Sequence, residues 1–216
     1  MKNNTIDAKL LNAQVAIDNA LGNPAISKAL AAFGYDETKL SAGKALYETA
    51  LNLHKQQKKE YGEQYAATGE LNAAFNSANK TYMLNLRVAR VALRTQAVAA
   101  EAMRLNGRRK KTYAGWVEQA TLFYGNALDN AEIQATLAEF GIDEKKLKAG
   151  QAAVQEVQTL LKAQLTEKGE AQGATEARDE ALEALMDWLG DFFAIARIAL
   201  EDDPQLLEIL GIVVES

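Results

Sequence analysis

The sequence predicts an all-α protein: a tandem duplication of a four-helix unit, folded as antiparallel helical bundles related by an approximate two-fold. Three observations predict it. The 216 residues contain only two prolines, and good helix formers (Ala, Leu, Glu, Lys, Gln) are abundant. Apolar residues recur in steps of three and four, as on one face of a helix, and no strand-like alternation competes. Whole blocks of sequence also return in the second half, without a gap and in one register.

Asn19-Ala20-Leu21 recurs as Asn126-Ala127-Leu128, and Phe33-Gly34-Tyr35-Asp36-Glu37 as Phe140-Gly141-Ile142-Asp143-Glu144. Leu40-Ser41-Ala42-Gly43 becomes Leu147-Lys148-Ala149-Gly150. Late in the unit, Val88-Ala89-Arg90-Val91-Ala92-Leu93 becomes Ile195-Ala196-Arg197-Ile198-Ala199-Leu200. One register held over separate blocks divides the chain into bundle repeats 1–107 and 108–216, which can pack as one body.

Each element follows from its punctuation. A first helix over 6–21 ends before Asn23, which caps a second helix at 24–33 with Pro24 in its first position. Asn130 keeps that cap in the second copy, ahead of a helix at 131–140. Gly34 and Gly141 stop these helices, because glycine enters the left-handed conformation at low cost. Asp36 and Asp143 cap the third helices, expected over 36–64 and 143–170, with Glu37 and Glu144 in the first turn. Thr68 and Thr175, close to Gly62 and Gly169, read as caps of fourth helices at 69–104 and 176–201. The second copy opens at 112–128, and Pro204 starts a short last helix near Gln205. Phe75, Ala78, Tyr82, Leu86, Ala89 and Leu93 form one apolar seam, matched by Leu182, Leu185, Leu189, Phe193, Ala196 and Leu200. Gly43 and Gly150 lie inside the third helices, where glycine costs about 1 kcal/mol relative to alanine, so close packing is expected against them.

The net charge of -5 hides an asymmetry. Residues 1–107 carry 13 Lys or Arg against 9 Asp or Glu, and residues 108–216 carry 11 against 20. Opposite signs on the two halves favour their association. The chain has no cysteine, which removes disulfides, thiolate metal sites and thiol nucleophiles. The N-terminal residues lack the apolar core of a signal peptide. The most apolar run, Phe192 to Leu200, is too short to span a bilayer. A cytoplasmic location is the resulting expectation.

Candidate chemistry is sparse. Carboxylate-bridged di-iron bundles need two Glu-x-x-His pairs, and His54 is the one histidine. It lies in a polar stretch and reads as a surface residue. Glu60 with Glu63, and Glu167 with Glu170, share helix faces but lack apolar surroundings that would shift their acidity. No catalytic or metal-binding constellation emerges, no cofactor is implied, and the chain is expected not to be an enzyme.

Three groups of residues are candidates for binding. Arg90 and Arg197 interrupt apolar runs, where a guanidinium can fork onto a carboxylate or an anionic ligand; the plainer account is a stem packed at the seam's edge with its charge in water. Arg104, Arg108, Arg109, Lys110 and Lys111 form the densest positive patch, a candidate anion site or a solvated linker. Trp116, Phe123, Tyr124, Trp188, Phe192 and Phe193 are core filler or the lining of a groove. Their counterparts in the first copy are smaller or more polar (Lys9, Ala16, Thr81 and Asn85 among them), so a groove would be asymmetric. The apolar run 206–214 suggests docking onto the body or a neighbouring chain.

The leading functional expectation is a non-enzymatic interaction or scaffold protein that binds a protein partner or itself. Nucleic acid is not the expected partner, since the chain is acidic overall. The alternative is a binding protein for a small apolar or anionic ligand. Its inter-helix pocket would lie in the second repeat, lined by Trp116, Trp188 and Phe192 with Arg197 as anchor.

Overall fold

A computed structural model describes residues 5–213. Among the described residues there are eight helices and no strand: α1 Ile6–Gly22, α2 Pro24–Ala31, α3 Glu37–Ala92, α4 Ala97–Ala102, α5 Tyr113–Asp129, α6 Ala131–Glu139, α7 Glu144–Ala199 and α8 Pro204–Ile209. The helix starts keep the register of the sequence blocks: Ile6 answers to Tyr113, Pro24 to Ala131, Glu37 to Glu144 and Ala97 to Pro204. No helix among the described residues is long and apolar enough to cross a membrane.

The short helices begin and end where local chemistry requires. Thr5 caps α1 by accepting from the Ala8 amide at 3.2 Å, and Thr112 caps α5 through Gly115 at 3.2 Å. The Asn23 side-chain oxygen takes the Ala25 amide at 3.0 Å, and that of Asn130 takes Glu132 at 2.9 Å. At the far end of α6, Gly141 adopts φ 80°. Its amide donates to Ala138, and the Ile142 amide donates to Leu137 at 3.0 Å. Gly34 and Tyr35 close α2 in the same way. This paired closure satisfies carbonyls that the helix leaves open. Asp36 and Asp143 then accept from the amides of Lys39 and Lys146 at 2.9 and 2.8 Å.

The third and fourth helices differ from expectation. α3 and α7 each run unbroken for 56 residues, about 84 Å at 1.5 Å per residue. Thr68 and Thr175 are not caps. Their hydroxyls donate backward to the carbonyls of Gln64 and Ala171, at 2.9 and 2.8 Å, inside the helix. Gly62 and Gly169 meet nothing within 4 Å of where a Cβ would stand. A glycine penalty of about 1 kcal/mol is too small to break a helix that neighbouring turns hold. The interruption falls instead at 93–96, and α4 follows.

The chain forms two compact units. One takes the described residues up to Tyr61 and from Glu170 on; the other is Gly62–Gly169. Each unit therefore draws on both halves of the sequence. The first core gathers Ile17 of α1, Ile26 and Leu30 of α2, and Leu40 of α3 with Leu185, Leu189 and Phe192 of α7. The second gathers Phe123 and Tyr124 of α5, Ile133 and Leu137 of α6, and Leu147 of α7 with Tyr82, Leu86 and Leu93 of α3. The predicted apolar seams serve here, one in each core, except that Phe192 rather than the expected Phe193 is the fully buried ring of α7.

Two further details complete the cores. Asn19 donates its side-chain amide to the Ile209 carbonyl at 2.6 Å, and Asn126 does the same to Ala102 at 2.6 Å. The asparagine repeated in the sequence thus ties α1 to α8 and α5 to α4. The apolar tail docks as expected: Leu207, Leu210 and Ile212 are buried in the first core, while Val214 lies outside the described residues. His54 departs from its expected surface position. It is buried, with Nε2 3.1 Å from Asp7 Oδ1, because it falls one turn after the buried Ala50 on the face that α1 covers.

Candidate functional site

The predicted aromatic group is divided between the two cores. Trp116 and Tyr124 lie in the second unit and Trp188 and Phe192 in the first. Trp116 donates through Nε1 to Asn79 at 2.9 Å and packs edge-on against Phe75 and Tyr82. Tyr124 is buried, and its hydroxyl accepts from Asn85 Nδ2 at 3.2 Å. Burial pushes its pKa up to about 12, opposed by the Asn85 hydrogen bond. In the first unit the Trp188 ring lies flat on Phe192, with centroids 5.2 Å apart and planes 8° apart, and edge-on to Tyr35.

Two of the buried glycines, Gly43 and Gly150, receive rings from this group. A Cβ on Gly43 would overlap the Trp188 ring, and one on Gly150 would overlap the ring of Tyr124. Both glycines accept a ring, but from different elements: α7 supplies it in the first unit, α5 in the second.

The arginines lie at the surface. Arg90 is exposed and donates through Nε to the Leu105 carbonyl at 2.7 Å, which ties down the segment after α4. Arg197 is exposed and donates to the Phe193 carbonyl at 3.3 Å. No carboxylate faces either guanidinium among the described residues.

The positive patch is largely committed to holding the segment between α4 and α5. The Arg109 guanidinium donates to the carbonyls of Arg104, Asn106 and Gly107 and to the Tyr82 hydroxyl. Lys110 pairs with Glu118, and Arg104 reaches the same carboxylate at 3.9 Å. The Lys110 ammonium holds the Glu118 carboxyl below its ordinary range. Gln119 fastens the segment by accepting from the Lys110 amide at 2.9 Å. Arg108 and Lys111 carry no such partner among the described residues, so the free cationic surface is smaller than the sequence suggests.

The grooves lie elsewhere. In the second unit, one of about 400 Å³ is walled by Thr81, Leu84, Asn85 and Val88 of α3, the Phe140–Ile142 turn, and Lys146 and Ala149 of α7. The capped end of α6 sets the turn, so Phe140 projects to its rim. Leu84 and Phe140 stay 53% and 48% exposed although both are large and apolar. Another groove of the second unit, about 400 Å³, lies between 95–99 and the start of α6 and is more polar. The first unit has a groove of about 300 Å³ between Leu46, Thr49 and Leu53 of α3 and Ala177 to Ala184 of α7.

Sequence reasoning puts a pocket where rings are concentrated, but rings fill space. Of the groove residues only Thr81 and Asn85 stand out in the sequence, as positions where the first copy is poorer than Trp188 and Phe192. That deficit is the usable signal. Comparison with known protein families, curated proteins and solved structures gives no match.

Proposed function

We propose that the chain is a non-enzymatic interaction protein that holds a partner polypeptide on its second unit. The observation that carries this is the groove beside Leu84, Val88 and Phe140: about 400 Å³ of space with large apolar side chains left open around it. Water gains nothing from such a surface, and contiguous apolar surface with an adjoining depression favours docking. A small-molecule site of drug-like type encloses most of its ligand, whereas these walls leave one side uncovered. The same proposal includes a tandem duplication of one unit, as 1–107 and 108–216, an approximate two-fold between the copies, and a cytoplasmic setting. The shared register of the helix starts supports the duplication.

A photo-reactive residue at position 84 in cells tests the interaction. The expected result is a reproducible cross-linked protein that disappears with Phe140→Asp and does not form from position 191, the corresponding site in the first unit. Absence of any adduct from position 84 removes the reading.

A further inference from the structure

The groove of the first unit has charge on one side only. Residues 1–61 and 170–216, which make up this unit, hold 10 Lys or Arg against 18 Asp or Glu, whereas residues 62–169 hold 14 against 11. Leu46 and Leu53 of α3, both half-buried, line one wall, and Ala177, Ala181 and Ala184 of α7 line the other with Glu180. The Thr49 hydroxyl, also in the lining, donates to the Ala45 carbonyl at 2.8 Å. Glu180 belongs to a row. Glu176, Glu183 and Asp187 share its helix face by their spacing, and all four are exposed. No cation pairs with Glu180, Glu183 or Asp187 among the described residues. On the α3 side the exposed row is Ala45, Thr49, Asn52 and Gln56, without charge. In the register that pairs Asn19 with Asn126, Glu176, Glu180, Glu183 and Asp187 answer to Gly69, Ala73, Asn76 and Lys80. The acidic row has no counterpart in the second unit.

We infer that the first unit's groove receives a basic amphipathic helix of a partner polypeptide, its apolar side chains between α3 and α7 and its cations along Glu180, Glu183 and Asp187. Two features select this occupant. The lining residues recur in steps of three and four on both helices, the spacing at which a third helix presents its own apolar side chains. The alanines of α7 leave room for larger ones from the partner. The one-sided charge then selects the sign. An acidic rim attracts lysine and arginine and repels phosphate, so nucleic acid and anionic lipid are not the occupants. The rim sets orientation and rate of encounter, and the apolar seat supplies most of the affinity. This site is separate from the groove of the second unit, and neither reading depends on the other.

The test uses the full chain with methyl labelling and follows Leu46, Leu53, Ala181 and Ala184 by NMR. The probes are three lysine-rich helical peptides whose apolar stripe is leucine, methionine or phenylalanine, each with a scrambled partner of equal charge and no stripe. At least one striped peptide is expected to shift these four signals saturably, to bind at least tenfold tighter than its scrambled partner, and to weaken as salt is raised. Glu180→Lys with Glu183→Lys should weaken binding at least tenfold, and both positions are exposed, so the melting temperature should hold. Ala184→Trp, also at an exposed position, should fill the groove and abolish the shifts. Failure of all three peptides overturns the inference. Equal binding of the scrambled peptides or of spermine does so too, since charge alone would then explain it. Shifts centred on Leu84 and Val88 would place the helix on the wrong unit and overturn it. Self-association of the chain that the double lysine variant removes would make a second copy the occupant, against the inference.

Discussion

At the scale of single residues, Tyr124 links α5 to both long helices within the second core. It fills the space over Gly150, takes the Asn85 amide and packs against Phe123. Its neutral form is favoured in the folded protein, with the pKa at about 12 against an ordinary 10.0. The unfolded chain therefore loses this proton first as pH rises. The stabilisation from keeping Tyr124 neutral is complete below about pH 10 and is lost between about 10 and 12, by at most about 1.4 kcal/mol per pH unit. Tyr124→Phe is expected to cost about 1–2 kcal/mol at neutral pH, because the buried Asn85 loses its acceptor. It should also flatten the decline above pH 10. Denaturant titrations of both proteins across that range check this; parallel curves would show that another group carries the alkaline loss.

At the scale of elements, the glycines of the long helices divide by what a methyl group would meet. Gly43→Ala gains up to about 1 kcal/mol in helix propensity, but the new carbon overlaps the Trp188 ring. Overpacking of about 1–3 kcal/mol outweighs that gain, so the melting temperature should fall. Gly62→Ala meets nothing and should stabilise by about 0.5–1 kcal/mol. Calorimetry of the pair decides the matter, and a stabilised Gly43→Ala protein would refute the ring contact. The same division shows what was legible in the sequence. Asn23, Asn130, Asp36, Asp143, Gly34 and Gly141 act through their own backbone surroundings, so they could be read locally. Thr68 and Thr175 could not, because a threonine that caps and one that bonds back to the preceding turn look alike in sequence. What settles them is whether the helix continues, and packing decides that. The groove was legible only through the contrast of Thr81 and Asn85 with their ring-bearing counterparts.

At the scale of the whole molecule, each core is assembled from both halves of the sequence. Residues 1–107 contain Leu10 to Ala50 of the first core and Leu71 to Leu105 of the second. The stripe along a long helix reads the same from end to end, so no local pattern says which half serves which core. Expressed alone, residues 1–107 should lack a complete core and fail to give a cooperatively melting monomer. Mixing with residues 108–216 should restore helicity and a single melting transition, helped by their opposite charge. Circular dichroism with size-exclusion chromatography reads the outcome. A monomeric 1–107 that melts like the intact chain would contradict the shared cores.

The separation of the two tryptophans gives the molecule a built-in pair of optical reporters. Trp116 emits from within the second unit and Trp188, flat against Phe192, from the first. With one of them replaced by phenylalanine, fluorescence follows a single unit through denaturation. Because α3 and α7 contribute to both cores, the two emitters should fade over the same range of urea.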